Sequence, residues 1–358
     1  MRTIVTNSSY DVNIGKSAIL TDLALFLTEN YPNAVIYVLV DSNTLTHCFP
    51  ILADAIPQLQ EVELIEVEPG EESKELEICA HIWQTLSEQQ ADRSALLINL
   101  GGGMITDLGG FVASIYKRGI DFINVPTSLL AQVDASVGNK NGIDFLGFKN
   151  QLGTFTAPKG VFVCIDFLRT LEKRQLVSGM AEVFKHGLIA DANYFHSVIN
   201  QLKNIDFEEV VHKSITIKNQ IVNNDPLEKG ERKKLNFGHT AGHAIESQAL
   251  NRKVDLLHGE AIAIGMLIEL EISILKGLLK NDEKSEVYAL FQSFFPLFSI
   301  KESDIEEIIS LSKQDKKNRN NGFQFTLLTA IGETVINQEV SEKEYHQAIL
   351  NYNNQLSL

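Results

Sequence analysis

The chain has 358 residues, 44% hydrophobic and 22% charged, a composition that fits roughly two globular domains. Its 46 acidic against 31 basic residues leave a formal net charge of -15, which excludes a general attraction to nucleic-acid backbones or anionic membranes. No apolar stretch reaches the ~20 residues of a membrane helix, the first residues lack a signal-peptide core, and Cys48, Cys79 and Cys164 are too few and too scattered for a disulfide framework, so a cytoplasmic protein with buried thiols is expected.

The first half alternates short apolar runs with helical spacing. Residues 34–40 (AVIYVLV), 61–67 (EVELIEV), 95–100 (ALLINL) and 122–125 (FINV) read as strands. Each is short, rich in β-branched residues and bounded by Asp, Asn, Gly or Pro. Residues 75–89 have helical spacing, and 161–165 (VFVCI) suggest one more strand. This alternation predicts a mainly parallel, Rossmann-like sheet with helices on both faces. After about residue 170 the pattern turns helical, over 182–189, 207–223, 239–250, 258–276, 286–295 and 305–313. Residues 323–331 (FQFTLLTAI) are the exception and read as a late hairpin or edge strand. The expectation is an α/β domain over 1–170, then an all-α domain over 171–358, with a site in the cleft between them.

Gly101, Gly102 and Gly103 end a predicted strand and open a predicted helix that contains Asp107. Without Cβ atoms the backbone can turn sharply there and let a pyrophosphate approach the helix amides. The dinucleotide fingerprint G-x-G-x-x-G is incomplete, because Thr106 stands at its third glycine. A tight turn without a ligand therefore stays open as an alternative.

Among nine histidines, His239 and His243 (GHTAGH) are four apart at a helix start and share a face. His258 precedes Gly259 and Glu260 at the next helix start. Two or three such imidazoles with a carboxylate could hold zinc and leave a position open to substrate. Lys140 and Lys149 lie in a glycine-spaced loop, Lys185 follows Glu182 by one turn, Lys218 precedes the stretch DPLEKGER and Arg232 ends it. In an acidic chain these are candidates to gather phosphate and carboxylate, Arg being suited to a bidentate grip.

Taken in order, PGEESK, GGGMITDLGGFVAS, RGIDFINVPTSLLAQVDASVG, GFKNQLGTF, GMAEVFKHGLI, KNQIVNNDPLEKGERKKLNFGHTAGHAIE, LHGEAIAIGM and QDKKN resemble the successive motifs of the 3-dehydroquinate synthase family of sugar-phosphate cyclases. The resemblance implies Glu182, His239 and His258 as zinc (or cobalt) ligands, and His243 as a substrate-side acid/base residue. It implies Arg118, Asp134, Lys140, Asn150, Lys185, Lys218, Arg232 and Asn236 around the substrate, joined by one or both of Lys316 and Lys317. Glu228 matches a carboxylate proposed for proton transfer. The NAD side implied is Asp41, Asn43, Glu71, Lys74, Gly102, Gly103, Asp107, Thr127, Ser128, Phe167 and Thr170, with Lys140 and Lys149 near the nicotinamide end.

The implied reaction closes a seven-carbon keto acid phosphate to a carbocycle, with NAD used transiently and phosphate lost by β-elimination. The implied partner is a small sugar phosphate and the implied assembly a homodimer. Four positions depart from the family pattern: Asn139 and Asn141 in VGNKNGI, His186 where Tyr is common, and Thr106 where Gly is common. An Asn at position 139 is tolerable if the backbone there has positive φ. Rival readings are a sibling cyclase for another sugar phosphate, a metal-dependent polyol dehydrogenase, and a binding protein that keeps NAD and metal without turnover.

Overall fold

The computed structural model describes residues 2–7, 10–313 and 322–356. They fall into two compact units, one of Met1–Leu176 with Asp206–Asn219, the other of Val177–Ile205 with Gln220–Leu358. A single cut after residue 170 therefore does not describe the division, because part of a later helix belongs with the first unit.

In the first unit the chain runs β1 (Arg2–Val5), β2 (Asp11–Gly15), α1 (Ile19–Asn30), β3 (Ile36–Asp41), α2 (Ser42–His47), α3 (Phe49–Ala55), β4 (Glu63–Val67) and α4 (Leu76–Glu88). It continues through β5 (Leu96–Gly101), α5 (Gly103–Ile115), β6 (Asp121–Pro126), β7 (Lys140–Phe145), β8 (Phe148–Phe155) and β9 (Val161–Cys164). Seven strands form one sheet in the order β1-β2-β9-β6-β5-β3-β4, in which only β1 and β2 pair antiparallel. Period-2 alternation sorts the side chains. Tyr37, Leu39, Leu97 and Phe122 pack with α4 and α5, whereas Val38, Val40, Ile98, Ile123 and Val125 pack with α1 and α3. Both faces are thus covered, as a parallel sheet requires.

The chain leaves β3 outward to the edge strand β4, then returns to pair β5 on the other side of β3. That reversal is a topological switch point, where the carboxyl ends of neighbouring strands open a crevice for ligands. Asp41 ends β3 and Gly101 ends β5, so two of the sequence signals meet at this point.

Beyond the first unit's strands the chain runs through α6 (Lys173–Ala190), α7 (Ala192–Asn200), α8 (Phe207–Asn224, its residues up to Asn219 belonging with the first unit), α9 (His239–Asn251) and α10 (His258–Leu275). These are followed by α11 (Asn281–Phe294), α12 (Glu302–Lys313), β10 (Phe323–Ala330), β11 (Glu333–Val340) and α13 (Glu342–Leu356). The second unit is helical but not purely so, because β10 and β11 pair as an antiparallel hairpin. No helix among the described residues is long and apolar enough to cross a membrane.

Candidate active site

In the first unit the glycine turn lies between β5 and α5, with Gly102 in extended conformation just before the helix. The first amides of a helix have no partner within it and face outward. A Cβ on Gly102 would lie 3.3 Å from Ser128 Oγ, so a side chain there would fill the space through which a ligand reaches those amides. Thr127 N donates to Gly101 O at 3.0 Å and holds the two loops together. At the end of β3, Asp41 Oδ1 accepts from Thr44 N at 2.9 Å and caps α2, leaving Asn43 exposed in its first turn. A helix start open at the switch point fits an adenine dinucleotide. Phe167 is buried, and Thr170 Oγ1 donates to its carbonyl.

Lys74 is the hub of a buried polar group. Its Nζ lies 2.6 Å from Asp107 Oδ2, 2.8 Å from Asn150 Oδ1 and 3.6 Å from Glu71. Burial opposes its charge, but Asp107, Glu71 and Asp144 outweigh burial and raise its pKa above the ordinary lysine value. Lys149 Nζ pairs with Glu71 at 2.8 Å and with Asp144 at 3.4 Å. Asp144 also accepts from Asn150 N at 2.7 Å. The segment read as a glycine-spaced loop is in fact the hairpin β7–β8, which carries Lys140, Lys149 and Asn150. At its approach Asn139 has φ +65°, the left-handed region in which Asn is the least strained non-glycine residue. Asn141 is buried and donates to Thr156 O at 2.9 Å.

Asp134 sits in a single π turn, Ala131–Ala135, a local geometry often found at functional sites. Lys218 Nζ donates to both its carbonyl and its Oδ1, each at 2.6 Å. Arg118 is exposed with φ +71°, and Lys140 is also exposed. Lys316 and Lys317 lie outside the described residues.

In the second unit three helices bring the ligand candidates together. Gly259 lets α10 approach α6 so closely that a Cβ would lie 1.9 Å from Ser178 O, and Gly259 N donates to Ser178 Oγ at 3.0 Å. Gly265 likewise lets α10 meet α9, where a Cβ would lie 2.1 Å from Gly238 O. These contacts set Glu182 of α6, His239 of α9 and His258 of α10 so that one ligand atom from each lies within 4.8 Å of the others. The ring of His243 is 5.0 Å from that of His239 and 5.9 Å from that of His258, centroid to centroid.

Glu182 is fully buried, and neither carboxylate oxygen makes a hydrogen bond of good geometry. Lys185 Nζ lies against Oε2, and His239 Nε2 is 3.6 Å from Oε1. Holding an ionised carboxylate away from water is costly unless a cation or donor compensates it. A carboxylate with two imidazoles in reach is a donor set for zinc or cobalt, so the residues present fit a divalent ion. His239 Nδ1 lies 3.2 Å from Phe237 O, and its Nε2 is the nitrogen turned toward Glu182. Nearby, Asn236 Nδ2 donates to Glu228 Oε1 at 2.7 Å, and Arg232 Nη1 donates to Pro226 O at 2.7 Å.

Several supporting residues escape a motif-based reading. Asp225 accepts the amides of Lys229, Gly230 and Arg232, shaping the loop that carries Glu228 and Arg232. Glu269 accepts the amides of Gly238 and Ala241 at the start of α9. Glu246 lies 3.1 Å from His258 Nδ1. Its spacing was a usable signal, because it follows His239 by seven residues and His243 by three, on the same helix face.

Comparison with known proteins identifies the family. A family model described as 3-dehydroquinate synthase N-terminal matches residues 64–178, and one described as 3-dehydroquinate synthase C-terminal matches 179–318. A 3-dehydroquinate synthase of Parabacteroides distasonis is 41% identical over 318 residues, covering 88% of this chain and 90% of that protein. A solved 2-deoxy-scyllo-inosose synthase, complexed with carbaglucose-6-phosphate, NAD+ and Co2+, is 23% identical with a TM-score of 0.84, covering 98% of this chain and 99% of its own. A 2-epi-5-epi-valiolone synthase from Streptomyces hygroscopicus, with NAD+ and Zn2+ bound, is 24% identical with a TM-score of 0.83 and 99% coverage of both chains. At that identity the two structures speak to the fold, while the family models and the bacterial relative establish descent. The chain belongs to the 3-dehydroquinate synthase family.

Proposed function

We propose that this chain converts 3-deoxy-D-arabino-heptulosonate 7-phosphate to 3-dehydroquinate and phosphate. The observation that carries the reading is the convergence of Glu182, His239 and His258 on three helices, in a chain 41% identical to a 3-dehydroquinate synthase. When bound, NAD supplies a reversible hydride acceptor and the divalent ion a Lewis acid.

The residues divide the remaining work. Gly102, Gly103, Thr127 and Ser128 receive the pyrophosphate, and Asp41 and Asn43 serve the adenosine end. Lys74, Asp107, Glu71 and Lys149 form a charged group whose mutual pairing keeps each head group in place for the cofactor. Lys185, Lys218 and Arg232, with Arg118, Lys140, Asn150 and one or both of Lys316 and Lys317, gather phosphate and carboxylate, which an acidic chain cannot attract by net charge. Asp134 orients Lys218, and Asn236 orients Glu228. His243, next to the ligand imidazoles, moves a proton on the substrate side. The resemblance further supports a homodimer in the cytoplasm, with NAD held by the first unit and metal by the second.

The test is phosphate release from the seven-carbon keto acid phosphate, with NAD and metal supplied and dehydroquinate followed in parallel. Metal-dependent release matched by dehydroquinate, and lost in Glu182→Ala, is the expected result. A folded protein that releases none would sink the assignment. Turnover of a seven-carbon sugar phosphate lacking the carboxylate would move it to a sibling cyclase.

A further inference from the structure

Glu246 has no part in the reading given so far. Its side chain is largely buried on α9, and Oε2 lies 3.1 Å from His258 Nδ1. An ionised carboxylate can only accept a hydrogen bond, so this contact makes Nδ1 the protonated nitrogen of the ring. The lone pair of His258 then resides on Nε2. His239 is arranged alike: its Nδ1 faces the Phe237 carbonyl, also an obligate acceptor, and its Nε2 faces Glu182. Both imidazoles therefore have one nitrogen held from behind, His239 by a neutral carbonyl and His258 by a carboxylate. The carboxylate also makes its ring the more basic ligand.

We propose that Glu246 is a positioning residue that holds His258 in the Nδ1–H tautomer, with the ring's lone pair on Nε2, and so sets the affinity of the Glu182–His239–His258 site for divalent metal. The inference rests on the reading of those three residues as a metal site. It assigns Glu246 no contact with the ion and none with substrate.

The experiment is a Co2+ titration of the metal-free full chain against a competing chelating dye, with Glu246→Gln, Glu246→Ala and Glu182→Ala alongside. Gln keeps an acceptor oxygen without the charge and is expected to bind about tenfold more weakly, and Ala about 100-fold more weakly. Nitrogen-15 NMR of the metal-free wild type needs no variant and is expected to show the His258 proton on Nδ1. A proton found on Nε2, or Glu246→Ala binding Co2+ as tightly as the wild type, would overturn the proposal. Two Co2+ ions on the wild type, with only the weaker lost in Glu246→Gln, would also overturn it and make Glu246 a direct ligand with His243. If Glu182→Ala binds Co2+ like the wild type, the metal-site reading itself fails, an outcome distinct from the failure of Glu246 alone.

Discussion

Glu269 accepts the backbone amide of Gly238 at 2.7 Å, so a carboxylate in the middle of α10 caps the start of α9, 31 residues earlier. The same carboxylate takes the Ala241 amide at 3.4 Å, and the residue is fully buried. Replacing Glu269 with Ala strands two amides away from water beside His239. The expected loss is about 2–3 kcal/mol in urea denaturation, with Glu269→Gln losing less because it keeps an acceptor. Equal stability of the Ala variant and the wild type would show that the cap contributes nothing.

Gly259 is the closest backbone approach behind the metal candidates. An added methyl would sit 1.9 Å from Ser178 O, so the start of α10 must move and take His258 with it. Gly259→Ala is expected to cost about 3 kcal/mol and to weaken Co2+ binding in the same samples. Unchanged metal affinity would mean that His258 tolerates the shift.

Asp225 gives the site loop an acid-sensitive anchor. Partial burial tends to raise its pKa, but the amides of Gly230, Lys229 and Arg232 and the Arg232 charge outweigh that and hold it below the ordinary range. A depressed folded pKa contributes stability above the unfolded value, near ~3.9, that is lost as pH falls through the folded one. The stability gap between wild type and Asp225→Asn should therefore be present at pH 7 and close in acid, below about pH 4. Urea curves at several pH values measure it, and a gap that widens in acid would reverse the argument.

The thiols should be inert in the folded chain. Burial pushes Cys48 and Cys79 up to about 12, and raises Cys164 as well. Nucleophilic attack needs the thiolate, which becomes about 10³-fold scarcer for such a shift. A disulfide reagent at pH 8 is expected to label none of the three natively and all three in denaturant. Rapid labelling of any of them in the native chain would contradict the burial.

Local chemistry made the central features legible. The runs around Leu39, Ile98 and Ile123 read as strands because their β-branched and apolar residues alternate between two covered faces. The turn at Gly102 and the helix start at His239 carry their signals within a few residues. By contrast, β1 buries only Ile4, and the hairpin β7–β8 pairs Gly142 with Gly153, so neither shows enough apolar periodicity to be recognised.

What the sequence by itself determined is the set of elements whose own residues dictate them, together with the ordered motifs that mark descent. Tertiary structure decided the partnerships: Lys74 with Asp107, Lys218 with Asp134, Glu246 with His258 and Glu269 with Gly238. The physical reason is that periodicity, capping and turn chemistry act over one or two turns of chain. A hydrogen bond between distant residues exists only once packed helices and strands have brought its two ends within about 3 Å.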